Sequence, residues 1–298
     1  MPQPEVTIVI PTRDRPALLP GAVESALAQT VRAIEVLVVD DGSVQPPRLA
    51  CTDARVRLLR NDPSQGVCAA RNRGLASARG RFVTFLDDDD RLLPHMVERS
   101  LQAIVDSTLP SPVAALSALE DVDPGGQPLG TVRQPVSLAR GRPDAPGAGR
   151  PTAPGPHATL VAPTQVLRAI GGWDQTLRAW EHTDLFLRLR PACSVQAVHE
   201  VTYLRRLHPA GRLSRDLPAR VESIQRTLAT HHAVFASHPR DHARYLGAVG
   251  IAWLRMGRWR PAVSATTAAL RIAPANPRIV TQWLASLAGP RVWTVIDR

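Results

Sequence analysis

Three apolar runs in the N-terminal third stop abruptly at polar residues, and this repeat restricts the fold more than any other feature of the chain. "VTIVI" (6–10) ends at Pro11-Thr12-Arg13-Asp14, "IEVLVV" (34–39) at Asp40-Asp41-Gly42-Ser43, and "RFVTFL" (81–86) at four aspartates, Asp87 to Asp90. Continuous apolar runs of this length, rich in β-branched residues, predict strands buried on both faces. A shorter strand is predicted at "VRLLR" (56–60). Helices are predicted up to about Gln29, with Ala22, Val23, Ala26 and Leu27 on one face, and over 66–80, a stretch bounded by glycines. The order β-α-β-β-α-β predicts an α/β fold, a mostly parallel sheet flanked by helices. Ligands of such sheets bind beyond the carboxyl ends of the strands, so the three polar strand ends predict one shared site.

Four adjacent carboxylates repel one another. A solvated turn is one explanation, and a helix N-cap is another, with Asp90 capping "RLLPHMVERSLQAIV". A metal site explains the run better. Hard cations take oxygen ligands, and Mg²⁺ combines one or two carboxylates with substrate phosphates. Mg²⁺ or Mn²⁺ is therefore the expected cofactor.

The net charge is +10, and all 36 basic residues are arginine. A GC-rich genome accounts for the arginine bias; an anionic partner is the functional alternative. Nucleic acid is not expected, because aromatics make up only 4% and no recognition motif is present. Cys51, Cys68 and Cys193 lie far apart without CxxC spacing, which fits a reducing compartment. The N-terminus has no basic leader and no apolar run reaches the roughly 20 residues of a membrane span. The expectation is a soluble, cytoplasmic protein with at most peripheral membrane contact.

Past residue 106 the pattern changes. "VAALSALEDVDPGGQPLG" reads as a strand and a hairpin turn. Residues 140–157 are rich in Pro and Gly and predict a long loop. Residues 160–190 read as helix, glycine turn and helix. From 216 onward the chain reads as helical.

Four motifs carry a resemblance to a known family: "VTIVIPTRDRPALLPGAVESALAQT", "IEVLVVDDGS", "GVCAARNRGLASARGRFVTFLDDDDRLLP" and "IGGWDQTLRAWEHTDLFLRLR". In this order they resemble the family 2 glycosyltransferases, over about residues 5–215. The resemblance implies a GT-A fold and metal-dependent, inverting transfer of a sugar from a nucleotide-diphosphate donor, a UDP-sugar. The acceptors it implies are a glycan, a lipid-linked sugar, a natural product or a peptide.

Residue by residue, the resemblance places Pro11, Thr12 and Arg13 at the nucleotide and assigns Asp40 or Asp41 to its base. Arg71 falls near base or phosphates. Asp87 and Asp89 form the D-x-D pair that meets ribose and metal, with Asp88 between them at the nucleotide sugar. His208 matches a histidine near the phosphates, as a further metal ligand. Asp14 stands where Asn is usual. The family's Glu-Asp pair, whose Asp is the general base, is replaced by Glu181 and His182. The candidate bases are therefore His182 first, then Glu181 and Asp184, with an Asp184–Arg188 helix pair as the bland alternative for the last.

Within the helical tail, 216–298, residues 246–277 resemble one tetratricopeptide-like hairpin with Gly257 at its turn and Ala262, Ala269 and Pro274 in place. A single repeat leaves a face to be covered, by the enzyme domain (1–215), by a partner, or by a second copy in a homodimer. Trp253, Trp259, Trp283 and Trp293, interleaved with Arg255, Arg258 and Arg260, suit either a core or a membrane surface. Two other functions compete with transfer: a nucleotidyltransferase, whose Gly-rich phosphate loop "PTRDRP" lacks, and a catalytically dead binding or scaffold protein.

Overall fold

A computed structural model describes residues 3–49, 52–141, 157–207 and 216–288. The chain divides into two compact units, 1–175 with 182–209, and 176–181 with 210–298.

In the first unit, β1 (Val6–Thr12), β2 (Ile34–Asp41), β3 (Val56–Asn61) and β4 (Phe82–Phe85) form a parallel block in the order β3-β2-β1-β4. Every residue of β1 and β2 is buried, as their predominantly apolar runs imply. The period-2 alternation sends Ile8, Ile10, Val36 and Val38 to one face and Val9, Leu37 and Val39 to the other. Helices α1 (Leu19–Leu27) and α3 (Met96–Val105) cover the first face, and α2 (Val67–Ser77) the second.

The sheet continues beyond β4 with mixed pairing, through β5 (Arg91–Leu92), β6 (Val113–Val122), β7 (Pro128–Arg133), β8 (Leu160–Pro163) and β9 (Ser194–Arg206). Among the described residues nine strands form one sheet, with β6 and β9 parallel and β8 antiparallel to both β4 and β6. Helices α4 (Thr164–Ala169) and α5 (Glu181–Ala192) complete this half. The α/β sheet with flanking and C-terminal helices is thus as expected. Three local readings need correction. Residues 91–92 are a strand paired with β9, and the helix after the aspartates starts only at Met96 with His95 as its N-cap, so Asp90 caps nothing. "LVAP" is strand β8, not the start of a helix. The long strand β9 had no counterpart in the sequence reading, because its Glu200, Arg205 and Arg206 interrupt the apolar pattern. The Pro/Gly-rich loop lies, apart from its ends, outside the described residues.

The second unit contains α6 (Leu217–Thr230), α7 (His232–Ser237), α8 (Pro239–Arg255), α9 (Trp259–Ile272) and α10 (Pro277–Ala288). Asp216 caps α6 by accepting from the Ala219 N–H. Trp180, Phe235 and Tyr245 form an aromatic cluster within it, with ring centroids 4.8 and 5.2 Å from Tyr245. Helices α8 and α9 pair about a turn where Gly257 has φ +71°, and Ala262 and Ala269 are fully buried. α10 runs back along α9, with Ile279 against Ala243 and Ala269.

Candidate active site

The three strand ends come together through side chains. Thr12, the last residue of β1, donates from Oγ1 to Asp88 Oδ2 at 2.7 Å. Arg15 Nη1 donates to Asp88 Oδ1 at 2.8 Å and to Asp89 Oδ2 at 3.0 Å. Asp14 links the first end to the second: its N–H donates to Ser43 Oγ at 2.9 Å, and its Oδ1 accepts from the Val44 N–H at 2.8 Å. Asp14 has φ +52°, a left-handed conformation that Asn and Asp tolerate best among non-glycine residues, which gives the Asn-to-Asp departure a physical basis.

Asp40 is fully buried. Its Oδ1 accepts from the Ser43 N–H (3.1 Å) and Oγ (2.5 Å), and Oδ2 pairs with Arg60, which stands opposite it in the β2–β3 register. Asp41 accepts from Asn61 Nδ2 (2.8 Å), Ser64 Oγ (2.7 Å) and the N–H groups of Gln65 (3.0 Å) and Gly66 (2.8 Å). Burial works against the Asp41 charge, but these bonds outweigh it and hold the carboxyl below its ordinary value. Gly42 makes the arrangement possible: with φ +70°, a Cβ there would lie 2.6 Å from the Ser64 nitrogen. Arg13 Nη1 donates to the same Ser64 Oγ at 2.9 Å. Pro11 is buried within β1.

After β4 the aspartates diverge in role. Asp87 Oδ1 accepts from Arg71 Nη2 at 2.8 Å, and the Arg71 guanidinium lies 4.6 Å over the Trp173 ring. Desolvation opposes the Asp87 charge, yet Arg71, His182 and Arg15 hold its carboxyl below the usual range. Asp88 is pushed up by burial despite Thr12 and Arg15. Asp90 accepts from Tyr203 Oη (2.7 Å) and the Arg206 N–H (2.8 Å), which ties β9 to the site. Burial, then repulsion from Asp87 and Asp89, pushes the Asp90 carboxyl well above its ordinary value.

Asp87, Asp89 and Asp90 bring one carboxylate oxygen each within 4.8 Å of the others. The oxygen-only donor set and its surplus negative charge both fit a hard divalent cation. Asp90 therefore joins the two aspartates expected from sequence, while Asp88 turns to Thr12 and Arg15. His208, the third ligand expected from sequence, lies outside the described residues.

Beside the cluster, Arg71, Phe85, Asp87, Ala158, Leu160, Trp173 and His182 line a small cavity. Trp173 stands edge-on to Phe85 (5.4 Å) and to His182 (4.9 Å). It is 3% exposed, and its indole N–H has no acceptor among the described residues. Asn72 fixes the Trp173 backbone from both sides: Nδ2 donates to its carbonyl and Oδ1 accepts from its N–H, each at 2.8 Å. Of the other base candidates, Glu181 opens α5, and buried Asp184 pairs with Arg188 at 2.5 Å. Arg188 is itself anchored by the carbonyls of Ile170 and Gly172, so Asp184 is built into the helix start.

Sequence reasoning did not find Arg15, Arg60, Asp90, Trp173 or Tyr203 as site residues. Arg15 and Trp173 lie inside the motifs that carry the family resemblance, whereas Arg60 and Tyr203 become visible only through strand register.

Residues 7–111 match the family model described as Glycosyl transferase family 2. The chain is similar to the "Succinoglycan biosynthesis protein ExoO" of Rhizobium meliloti, 41% identical over 102 residues that make up 33% of this chain and 29% of that protein. It is also similar to an uncharacterized glycosyltransferase of Rickettsia typhi, 26% identical over 208 residues, 70% of this chain and 65% of that one. The chain thus spans less than two thirds of the length of these relatives. Among solved structures, S. aureus TarS residues 1–349 in complex with UDP-GlcNAc superposes with a TM-score of 0.57 at 14% identity, covering 95% of this chain and 90% of that one. The likeness establishes the GT-A fold.

Proposed function

We propose that this chain is a glycosyltransferase that moves a sugar from a UDP-sugar donor to an acceptor with inversion, using a divalent cation at Asp87, Asp89 and Asp90. The observation that carries this reading is the convergence of three strand ends on the aspartate run, through Thr12, Arg15 and Asp14. The family match over residues 7–111 and the UDP-GlcNAc bound to a structural neighbour support it.

Pro11, Thr12, Arg13, Asp40 and Asp41 border the nucleotide in this reading. When bound, Mg²⁺ or Mn²⁺ neutralises the donor's diphosphate. Arg71, held by Asp87 and stacked on Trp173, brings a fixed positive charge beside it. The unsatisfied Trp173 N–H is a donor for a sugar hydroxyl. His182, on the same cavity, removes the acceptor proton as the acceptor bonds to the anomeric carbon and the bond from that carbon to the phosphate oxygen breaks, releasing UDP. Glu181 is the second candidate, and the Arg188 pair sets Asp184 aside. The acceptor is a glycan, a lipid-linked sugar, a natural product or a peptide. The α8–α9 hairpin is read as a tetratricopeptide-like unit that serves acceptor recognition or a homodimer.

A thermal-shift screen of nucleotide sugars with Mn²⁺ tests the donor, because a ligand stabilises the folded state in proportion to its affinity. A UDP-sugar is expected to raise the melting temperature and to be hydrolysed slowly, both only with metal. Undiminished turnover in EDTA together with an active Asp89→Asn variant would remove the metal role.

A further inference from the structure

We propose that the turn joining α8 and α9 is a contact site for an anionic lipid surface. Arg255 ends α8, and Arg258, Trp259 and Arg260 begin α9; all four are exposed, with half of the Trp259 surface open. The Arg258 guanidinium lies 5.0 Å over the Trp253 ring, and that of Arg260 5.6 Å over Trp259. Cations and indoles are therefore presented together.

Apolar surface lies toward the same end, and no nearby carboxylate offsets the charge of the turn. Of the six arginines in residues 242–288, Arg255, Arg258 and Arg260 lie at the turn, and the stretch holds no aspartate or glutamate. Trp283 Nε1 donates to Thr267 Oγ1 at 3.0 Å, and the Ser286 and Thr266 hydroxyls are 2.8 Å apart. These contacts run α10 antiparallel to α9 and bring the exposed Leu284 and Leu287 toward the Trp259 end. An indole ring with arginines at its sides and leucines nearby matches the headgroup zone, where amphipathic rings and cations are both favoured. A nucleic acid would use the charge but has no place for the leucines. Among the described residues no helix is long and apolar enough to cross a membrane, so the contact is with the surface.

The test is flotation of the full chain with phosphatidylcholine vesicles and with vesicles containing 30 mol% phosphatidylglycerol, about a third anionic as a surface potential of this kind requires. Expected are binding to the anionic vesicles alone, weakening as salt rises, and a blue shift of tryptophan emission. Reversing Arg255, Arg258 and Arg260 to Glu should lower partitioning by roughly a hundredfold or more. Trp259→Ala, a surface change that leaves the circular-dichroism melt unaltered, should lower it several-fold and serves if the triple variant fails to fold. Equal binding to neutral vesicles, no binding to anionic ones, or full binding by Trp259→Ala overturns the proposal. So does a duplex oligonucleotide that binds as tightly as the anionic vesicles and is indifferent to Trp259→Ala.

Discussion

Arg15 Nη1 sits 2.8 Å from Asp88 Oδ1 and reaches Asp89 Oδ2 at 3.0 Å, so a guanidinium from the β1 end shares a carboxylate with the candidate cation site. Its charge opposes a cation at Asp89; burial disfavours that charge, but Asp88, Asp89 and Asp87 outweigh the cost and hold the guanidinium charged. Arg15→Gln should therefore bind Mn²⁺ alone more tightly, by roughly two- to fivefold, the range of a partly exposed ion pair. Titration followed by electron paramagnetic resonance reads this directly; unchanged affinity means that Arg15 does not compete.

Asp89→Asn should abolish transfer and weaken metal-dependent nucleotide binding while leaving the metal-free melting temperature equal or slightly raised. Asp89 is one of the like charges that burden Asp90, and removing it relieves that repulsion. Asp90→Asn should behave differently. It too removes a charge that burial, Asp87 and Asp89 disfavour, but it gives up one of the two accepted bonds, from Tyr203 or from the Arg206 N–H, so its metal-free melting temperature should stay below that of Asp89→Asn. Calorimetry on the two variants side by side separates the roles.

Asp41 supplies a pH signature outside the metal cluster. Its carboxyl is held below its ordinary value in the folded protein, so its charged form stabilises the fold above the unfolded pKa. That stability is lost as pH falls below about 4, through the lower folded value. Asp41→Asn should cost about 1–3 kcal/mol at pH 7, and the gap to the wild type should close in acid. Urea melts at pH 7 and in acid check the sign; a gap that stays constant with pH would show that the charge of Asp41 is unimportant.

His182 as base predicts an acid limb in the pH–rate profile that disappears in His182→Ala and returns in part with His182→Asp. Wild-type kcat in His182→Ala beside a large loss in Glu181→Gln transfers the role to Glu181. Asp184→Asn should instead lower stability, by roughly 3 kcal/mol, since it leaves Arg188 without its buried partner.

The sequence by itself determined the parallel block, because β1 and β2 are buried on both faces and predominantly apolar, β-branched runs fill such strands, with Glu35 inside β2 answered by Arg57. It also determined that three strand ends share one site, since parallel strands deliver their carboxyl ends to the same edge. The Asp184–Arg188 pair was legible too, because helical i,i+4 spacing is local. What only the tertiary structure decided is the division of labour among four identical side chains. Asp87 goes to Arg71, Asp88 to Thr12 and Arg15, and Asp90 to Tyr203, partners 16, 76, 73 and 113 residues away. Spacing in the chain says nothing of such pairs, which depend on strand register and on where β9 returns to the sheet. Arg60 opposite Asp40 and Trp173 beneath Arg71 follow the same rule. Hydrophobic period is a local property and can be read from the chain, whereas the pairing of charges is set only when distant elements pack.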